Sequence, residues 1–234
     1  VELAREIATD GHMIPHGPMS RLLKHSWHEY GGAFEDRELI AKSIEEVLAW
    51  NGKPILHSPV PTLFTMWLWK TFNETIMLPV NLMETPINDV DEAFARRLFA
   101  GMLEAQKELK ALVPFARIPW GMFHVIQRNN RVWPVETGMY PAISLMNANI
   151  GKNSTDLKDL GCVIGSAYVG FHVFTKDGIR SESVMPLGQT DDPSLDYVDA
   201  MTDLFAERRL KPLPFSDAEM AEIEMVETVL HFDR

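Results

Sequence analysis

Apolar positions in the first half of the chain recur every three to four residues. Met19, Leu22, Leu23, Trp27 and Tyr30 keep helical spacing, and Gly31-Gly32 ends that segment. Asp36 stands where a helix N-cap belongs, ahead of a stripe of Ile40, Ile44, Val47 and Leu48 that stops at Asn51-Gly52. Pro61 suits a first helical turn, and Thr62–Phe72 is apolar nearly all round, which predicts burial on several sides. Pro79 to Pro86 reads as a break. Asp89, with Glu92 three residues on, predicts a capping-box variant opening a long helix with the stripe Phe94, Leu98, Met102, Leu109, Leu112, ended by Pro114.

The period then shortens. "MFHVIQR" and "RVWPVE" are rich in β-formers and flank Asn129-Asn130, a hairpin turn signal. From Ser166 the chain alternates, with Ala167, Val169, Phe171 and Val173 on one face. Lys176-Asp177-Gly178 is the turn and Ile179–Leu187 the returning strand. Asn147 to Asp159 is polar and predicts a loop. Helices are expected again after Ser194, with Asp196 and Asp199 near the positive end, and after Ser216, with Glu219 completing a capping box. The pattern is α+β: mainly helical over 1–115, mixed antiparallel strands and helices over 116–234, and a single unit without repeats or linkers.

Size and charge narrow the function classes. At 234 residues the chain is long enough to bury a real core, and its 46% hydrophobic and 24% charged content is that of a globular protein. A formal charge of −11 argues against non-specific nucleic-acid binding, which needs basic surface. No apolar run reaches the length of a membrane span. Cys162, the single cysteine, rules out an internal disulfide. Val1 is not an initiator methionine and charges follow it at once, so no signal peptide is read and the chain is expected to be a piece of a longer protein.

Candidate chemistry is sparse. His124, set among Phe123, Val125 and Ile126, could act as a base only with an orienting acceptor and a nucleophile nearby, and a packed strand histidine bonded to backbone is the expected role. His12 and His16 are interrupted by prolines. His25 and His28 share a helix face at i, i+3, but Glu29 follows them, so H-E-x-x-H is absent and zinc is not expected. A surface or capping histidine cluster is the simpler reading. Asp191, Asp192, Asp196, Asp199 and Asp203 lack the order of an EF-hand loop and fit a solvated helix start. Ser166 lies in "IGSAYVG", with Ile164 where G-x-S-x-G needs Gly. Cys162 has no cationic neighbour, and Gly161 and Gly165 make no dinucleotide fingerprint.

Four stretches in order resemble the penicillin acylases (penicillin amidases), which include acyl-homoserine-lactone acylases. Val47–Trp69, "VLAWNGKPILHSPVPTLFTMWLW", is similar to the helix-ending W-D-G, a Ser turn and L-F-x-x-W. "LEAQKELKALVPFARIPWGMFHVIQR" resembles the long helix leading to W-G-x-x-H. The stretch from Ile164 to Phe205 resembles the G-S-S-Y hairpin, the G-Q-S-G-x-P loop and a helix with H-Y-x-D-Q, and "LKPLPFSDAEM" resembles the closing L-P-F. Asn51 replaces Asp, Thr190-Asp191 replaces Ser-Gly, Asp196 stands where His is common, and Ala200-Met201 follows Asp199 where Gln is expected.

The resemblance implies part of an αββα N-terminal-nucleophile fold. It also implies a precursor that cleaves itself, so that a new N-terminal Ser attacks an acyl amide with its own α-amine as base. The matching stretches belong to the latter part of the large subunit. The nucleophile, the oxyanion Asn, most of the acyl pocket and the calcium ligands are therefore expected upstream of Val1. No catalytic, cofactor or metal residue is carried over, and the chain alone is expected to be inactive. Its implied partners are the small subunit and the N-terminal part of the large subunit, or another copy of itself, with a small acyl-amide substrate for the whole enzyme. Export to the periplasm or medium is likewise implied by the family alone. A catalytically dead acylase-like binding module and a metal hydrolase built on His25 and His28 are the rival readings.

Overall fold

Helices build the first half because their apolar stripes have one another to bury against. The computed structural model describes residues 2–72, 84–113, 117–128, 130–138, 148–150, 162–187, 190, 192 and 194–223. Helix α1 (Glu2–Thr9) was not legible in the pattern; none of its residues is buried. Helix α2 (His16–Tyr30) turns at its Gly-Gly end into a short 3-10 segment. Helix α3 (Arg37–Ala49) buries Ile40, Ile44 and Val47 as the stripe requires. Asp36 holds its N-cap position without a side-chain bond, so it contributes no cap hydrogen bond. Helix α4 (Val60–Phe72) is buried at every position from Pro61 to Leu68.

Helix α5 (Glu92–Leu112) starts two residues later than the expected cap. Asp91, not Asp89, is extended at the N-cap and accepts from Phe94 N at 2.7 Å, whereas Asp89 closes a separate 3-10 turn, Ile87–Asp89. An N-cap oxygen reaches the amide three residues on, and from Asp91 that amide is Phe94's. α4 and α5 pack closely where Gly101 leaves no side chain: a Cβ there would lie 2.9 Å from Thr71 Cα. Trp67 Nε1 donates to Leu98 O across the same contact at 2.9 Å. Trp67, Phe64 and Phe99 are fully buried here, each side chain worth about 1.5–3 kcal/mol relative to exposure.

The short turn α6 (Trp120–Phe123) takes up Met122 and Phe123, which the pattern gave to a strand. It leads into β1 (Val125–Arg128), paired antiparallel with β2 (Arg131–Pro134) around Asn130, whose φ of 62° suits the turn. Ala148–Ile150 forms β3, not the expected loop, and pairs with β4 (Cys162–Gly165). The alternating hairpin is β5 (Val169–Thr175) and β6 (Gly178–Val184), with β7 (Lys211–Leu213) beside β6. Gly178 follows the two-residue turn with φ 133°, a value that favours glycine. β6 stops at Val184, short of the expected Leu187.

The helix expected after Ser194 is instead two short turns. Ser194 donates to Asp192 Oδ1 through both N and Oγ, an Asx turn; a 3-10 segment spans Asp196–Val198, and α7 covers Thr202–Ala206. Helix α8 (Asp217–Ala221) has the full Ser216–Glu219 capping box. Two apolar cores result among the described residues. The larger joins α2 to α6; the smaller gathers Ile126, Trp133, Val135, Val169, Val184, Phe205 and Leu210, and Cys162 packs against both. The chain is thus α+β, helices first and antiparallel strands later. Most of the expected Pro79–Pro86 break, Pro114, Asn129, most of the expected Asn147–Asp159 loop, Gly161, Asp191 and the part of the last expected helix past Ile223 lie outside the described residues.

Candidate functional site

The W-G-x-x-H stretch ties four segments together. Trp120 N donates to Ser58 O at 2.9 Å and Gly121 N to Leu56 O at 2.8 Å, so the start of α6 is fixed on the loop between α3 and α4. Gly121 allows this approach, since a Cβ would meet Leu56 Cβ at 3.2 Å. Leu56 N in turn donates to Glu136 Oε1, and Arg208 pairs with Glu136 Oε2 at 3.3 Å. His124 closes the node. It is fully buried, its ring stacks on Trp120 at 4.4 Å and 15°, and its Nδ1 lies 3.0 Å from Val135 O. A carbonyl only accepts, so Nδ1 carries the proton. The ring joins the segment just after β2 to α6, the packed, backbone-bonded setting that the sequence led us to expect.

The histidine cluster separates in space. His28 is exposed and faces Glu29, with Nδ1 2.6 Å from Oε1, while His25 is half-buried. His12 and His16 lie instead against the turn after α3. His16 is half-buried between Trp50 and Phe64, which corrects the surface reading for that residue. Burial holds its pKa below the ordinary histidine value, against the bond to Val47 O and together with repulsion from His12. No group of three or more metal-ligating side chains comes together among the described residues.

The aspartates are not a solvated face throughout. Asp199 is buried and accepts from Arg131 Nη1 at 3.2 Å; Asp203 meets Arg131 Nη2 at 3.3 Å and accepts from Trp133 Nε1 at 2.5 Å. Arg131 also lies over the Trp133 ring, 4.5 Å from its centroid. These acids dock the C-terminal turns on β2. Asp192 stays exposed, with its pKa lowered by the Ser194 hydroxyl and then by the Ser194 N–H. The Cys162 thiol is pushed up to about 12 by burial, so it holds its proton at neutral pH and is no nucleophile. Ser166 is half-buried, between β4 and β5.

One pair escaped the sequence reading. His172 and Ser181 face each other across β5 and β6, with Nδ1 2.8 Å from Oγ. The period-2 alternation and the hairpin register together would have found it. Direct cross-strand neighbours touch by register alone, and Ser181 is 6% exposed, so the pair reads as a sheet contact. On the opposite face of this sheet lies an open groove of about 670 Å³ between α1 and α8. Phe171, Val173 and Leu213 line it, with Glu182 paired to Arg5 of α1 at 3.2 Å. No helix among the described residues is long and apolar enough to cross a membrane.

A penicillin G acylase from Alcaligenes faecalis, a thermostable enzyme solved in an orthorhombic form, is similar in structure at 12% identity and a TM-score of 0.46. That match covers 96% of this chain and 48% of the other, so the chain spans about half the length of that relative. No curated protein matches the chain. The family model for penicillin amidase matches residues 4–222, nearly the whole length, and the chain belongs to the penicillin amidase family.

Proposed function

We propose that the chain is the C-terminal portion of a penicillin-acylase-like amidohydrolase, hydrolysing an acyl amide to a carboxylic acid and an amine. The match to the family over residues 4–222 carries this reading. In it the attacking group is an N-terminal Ser outside this chain, exposed by self-cleavage of a precursor, with its own α-amine as base. The present residues supply scaffold. Buried His124, the high-pKa Cys162 and the ion-paired Asp199 all favour that division, because each is engaged in packing or docking.

The chain is read as one unit whose partners are the small subunit and the N-terminal part of the large subunit, and the assembled enzyme as periplasmic or secreted. The test is a pair of assays on acyl amides: the chain alone, and the chain co-expressed with its upstream coding region. Turnover is expected only in the second. An upstream region with no Ser, Thr or Cys at the cleavage point, and no turnover in either assay, would instead favour a catalytically dead binding module.

A further inference from the structure

The segment from Val169 to Thr175, V-G-F-H-V-F-T, forms β5 and contains no Lys, Arg, Asp, Glu or Pro, and no bulge interrupts its register with β6. Charges, prolines and bulges are the usual means of keeping an edge strand from pairing with another chain. β5 is such an edge. In the β5-β6-β7 sheet it has β6 on one side and, among the described residues, no strand on the other.

The register fixes which backbone groups point outward. Thr175 and Gly178 flank a two-residue turn, so they exchange both of their backbone bonds, and the alternation then gives Val173, Phe171 and Val169 to β6. Gly170, His172 and Phe174 therefore turn their N–H and C=O groups to the free edge. The opposite edge agrees. The same alternation leaves Glu182 and Pro212 as a pair without backbone bonds, and Pro212 has no N–H to give. Pro212 is thus the residue that β7, a strand of three residues, presents outward, so that edge is blocked. The sheet protects one edge and leaves the other open.

Side chains along the open edge are apolar. Phe174 is 77% exposed and Tyr168, just before the strand, 51%. Gly170 sits beneath the Tyr168 and His172 rings, since a Cβ there would lie 2.7 Å from Tyr168 Cε1 and 2.8 Å from His172 Nε2. A strand laid antiparallel on this edge, with His172 opposite its own copy, sets Phe174 against Gly170 and its Tyr168 cover, Phe171 against Val173, and Val169 against Thr175. Large meets small, aromatic meets β-branched, and no carboxylate, ammonium or guanidinium of β5 is brought to the seam. The pattern complements itself, as a two-fold interface requires.

We propose that β5 is a self-association edge: two copies of this chain pair antiparallel through Val169–Thr175 about a two-fold axis at His172, joining their sheets in the order β7-β6-β5-β5-β6-β7. Phe171 and Val173 also line the groove between α1 and α8, so pairing extends that apolar floor from one copy towards the next. Such pairing follows from strand register and holds whether or not the chain serves a hydrolase. One strand pair with its flanking rings falls among the small, transient interfaces, below about 1,200 Å² of buried surface, so the dimer is weak.

Sedimentation velocity of the 234-residue chain, run from about 1 μM to about 300 μM, should show the mass rising from 26.6 kDa towards twice that value. Phe174→Lys, which places a cation on the edge in both copies, should raise the dissociation constant at least about tenfold. Cysteines read the register. Under mild oxidation His172→Cys should cross-link to its own copy, since directly opposed residues stand about 5.5 Å apart. Thr175→Cys, equally at the surface, should not, because its own copy lies roughly 20 Å along the seam. A monomer throughout the range, association untouched by Phe174→Lys, or equal cross-linking of the two cysteine variants overturns the proposal. A chain that stays monomeric alone yet binds the upstream portion of a precursor, more weakly with Phe174→Lys, gives the edge to that portion and overturns self-pairing too.

Discussion

Truncating His124 separates a scaffold role from a catalytic one. His124→Ala removes a fully buried ring stacked on Trp120 and leaves Val135 O without its side-chain donor. Losing a buried ring of this size costs about 3–5 kcal/mol, and an orphaned buried carbonyl adds about 1–3 kcal/mol, less whatever the site recovers by relaxing. A net loss of about 4 kcal/mol is expected. With a urea m-value of about 2–3 kcal/mol/M, the unfolding midpoint should fall by roughly 1.5 M. His124→Phe keeps the stacking surface but loses the hydrogen bond, so it should cost only about 1–3 kcal/mol. The assay is equilibrium urea unfolding followed by tryptophan fluorescence, with wild type and both variants measured together. If His124→Ala unfolds within about 0.5 kcal/mol of wild type, the packing account is wrong. A stable His124→Ala that abolishes turnover in an assembled enzyme would assign the ring to catalysis instead.

Other residues give sharp contrasts. Asp91→Ala should cost about 1 kcal/mol by removing the cap on α5, whereas Asp89→Ala should change the urea midpoint very little; equal effects would refute the cap assignment. Gly101→Ala should destabilise by about 1–3 kcal/mol in thermal or urea melts despite alanine's better helix propensity, because the new Cβ meets Thr71 backbone; a stabilised variant would show that α4 and α5 have room to part. With its thiol pushed up to about 12, Cys162 should resist iodoacetamide at neutral pH in the native chain and react at once in urea, and fast native labelling would contradict its burial.

Local chemistry explains which elements could be read in advance. The stripes of α3 and α5 and the all-apolar face of α4 repeat over several turns, so the burial of Ile40, Ile44, Val47, Leu98, Met102 and Leu109 follows from spacing, while Leu48, Phe94 and Leu112 at the stripe edges are only half-buried. The β1–β2 and β5–β6 hairpins have both alternation and turn residues. Asp89 and Asp91 are two residues apart with the same chemistry, and only backbone geometry decides which one caps. Ala148–Ile150 becomes a strand because β4 supplies its partner, a long-range fact that three residues cannot announce. The same limit hid the functional geometry. Asp199 and Asp203 looked like a helix start because Arg131 is roughly seventy positions away in sequence, and His16 looked exposed because its wedge comes from Trp50 and Phe64. His124 was readable because both its apolar neighbours and its backbone partner, eleven residues on, lie within one hairpin.

The central claim is that these residues support amide hydrolysis without performing it. Turnover of acyl amides by the purified chain alone measures this most directly, with His172→Ala and Ser181→Ala as controls on the cross-strand pair. The account predicts no turnover above background for the chain and both variants, and activity once the Ser-led upstream portion is supplied. Turnover by the chain alone that vanishes in either variant would contradict it.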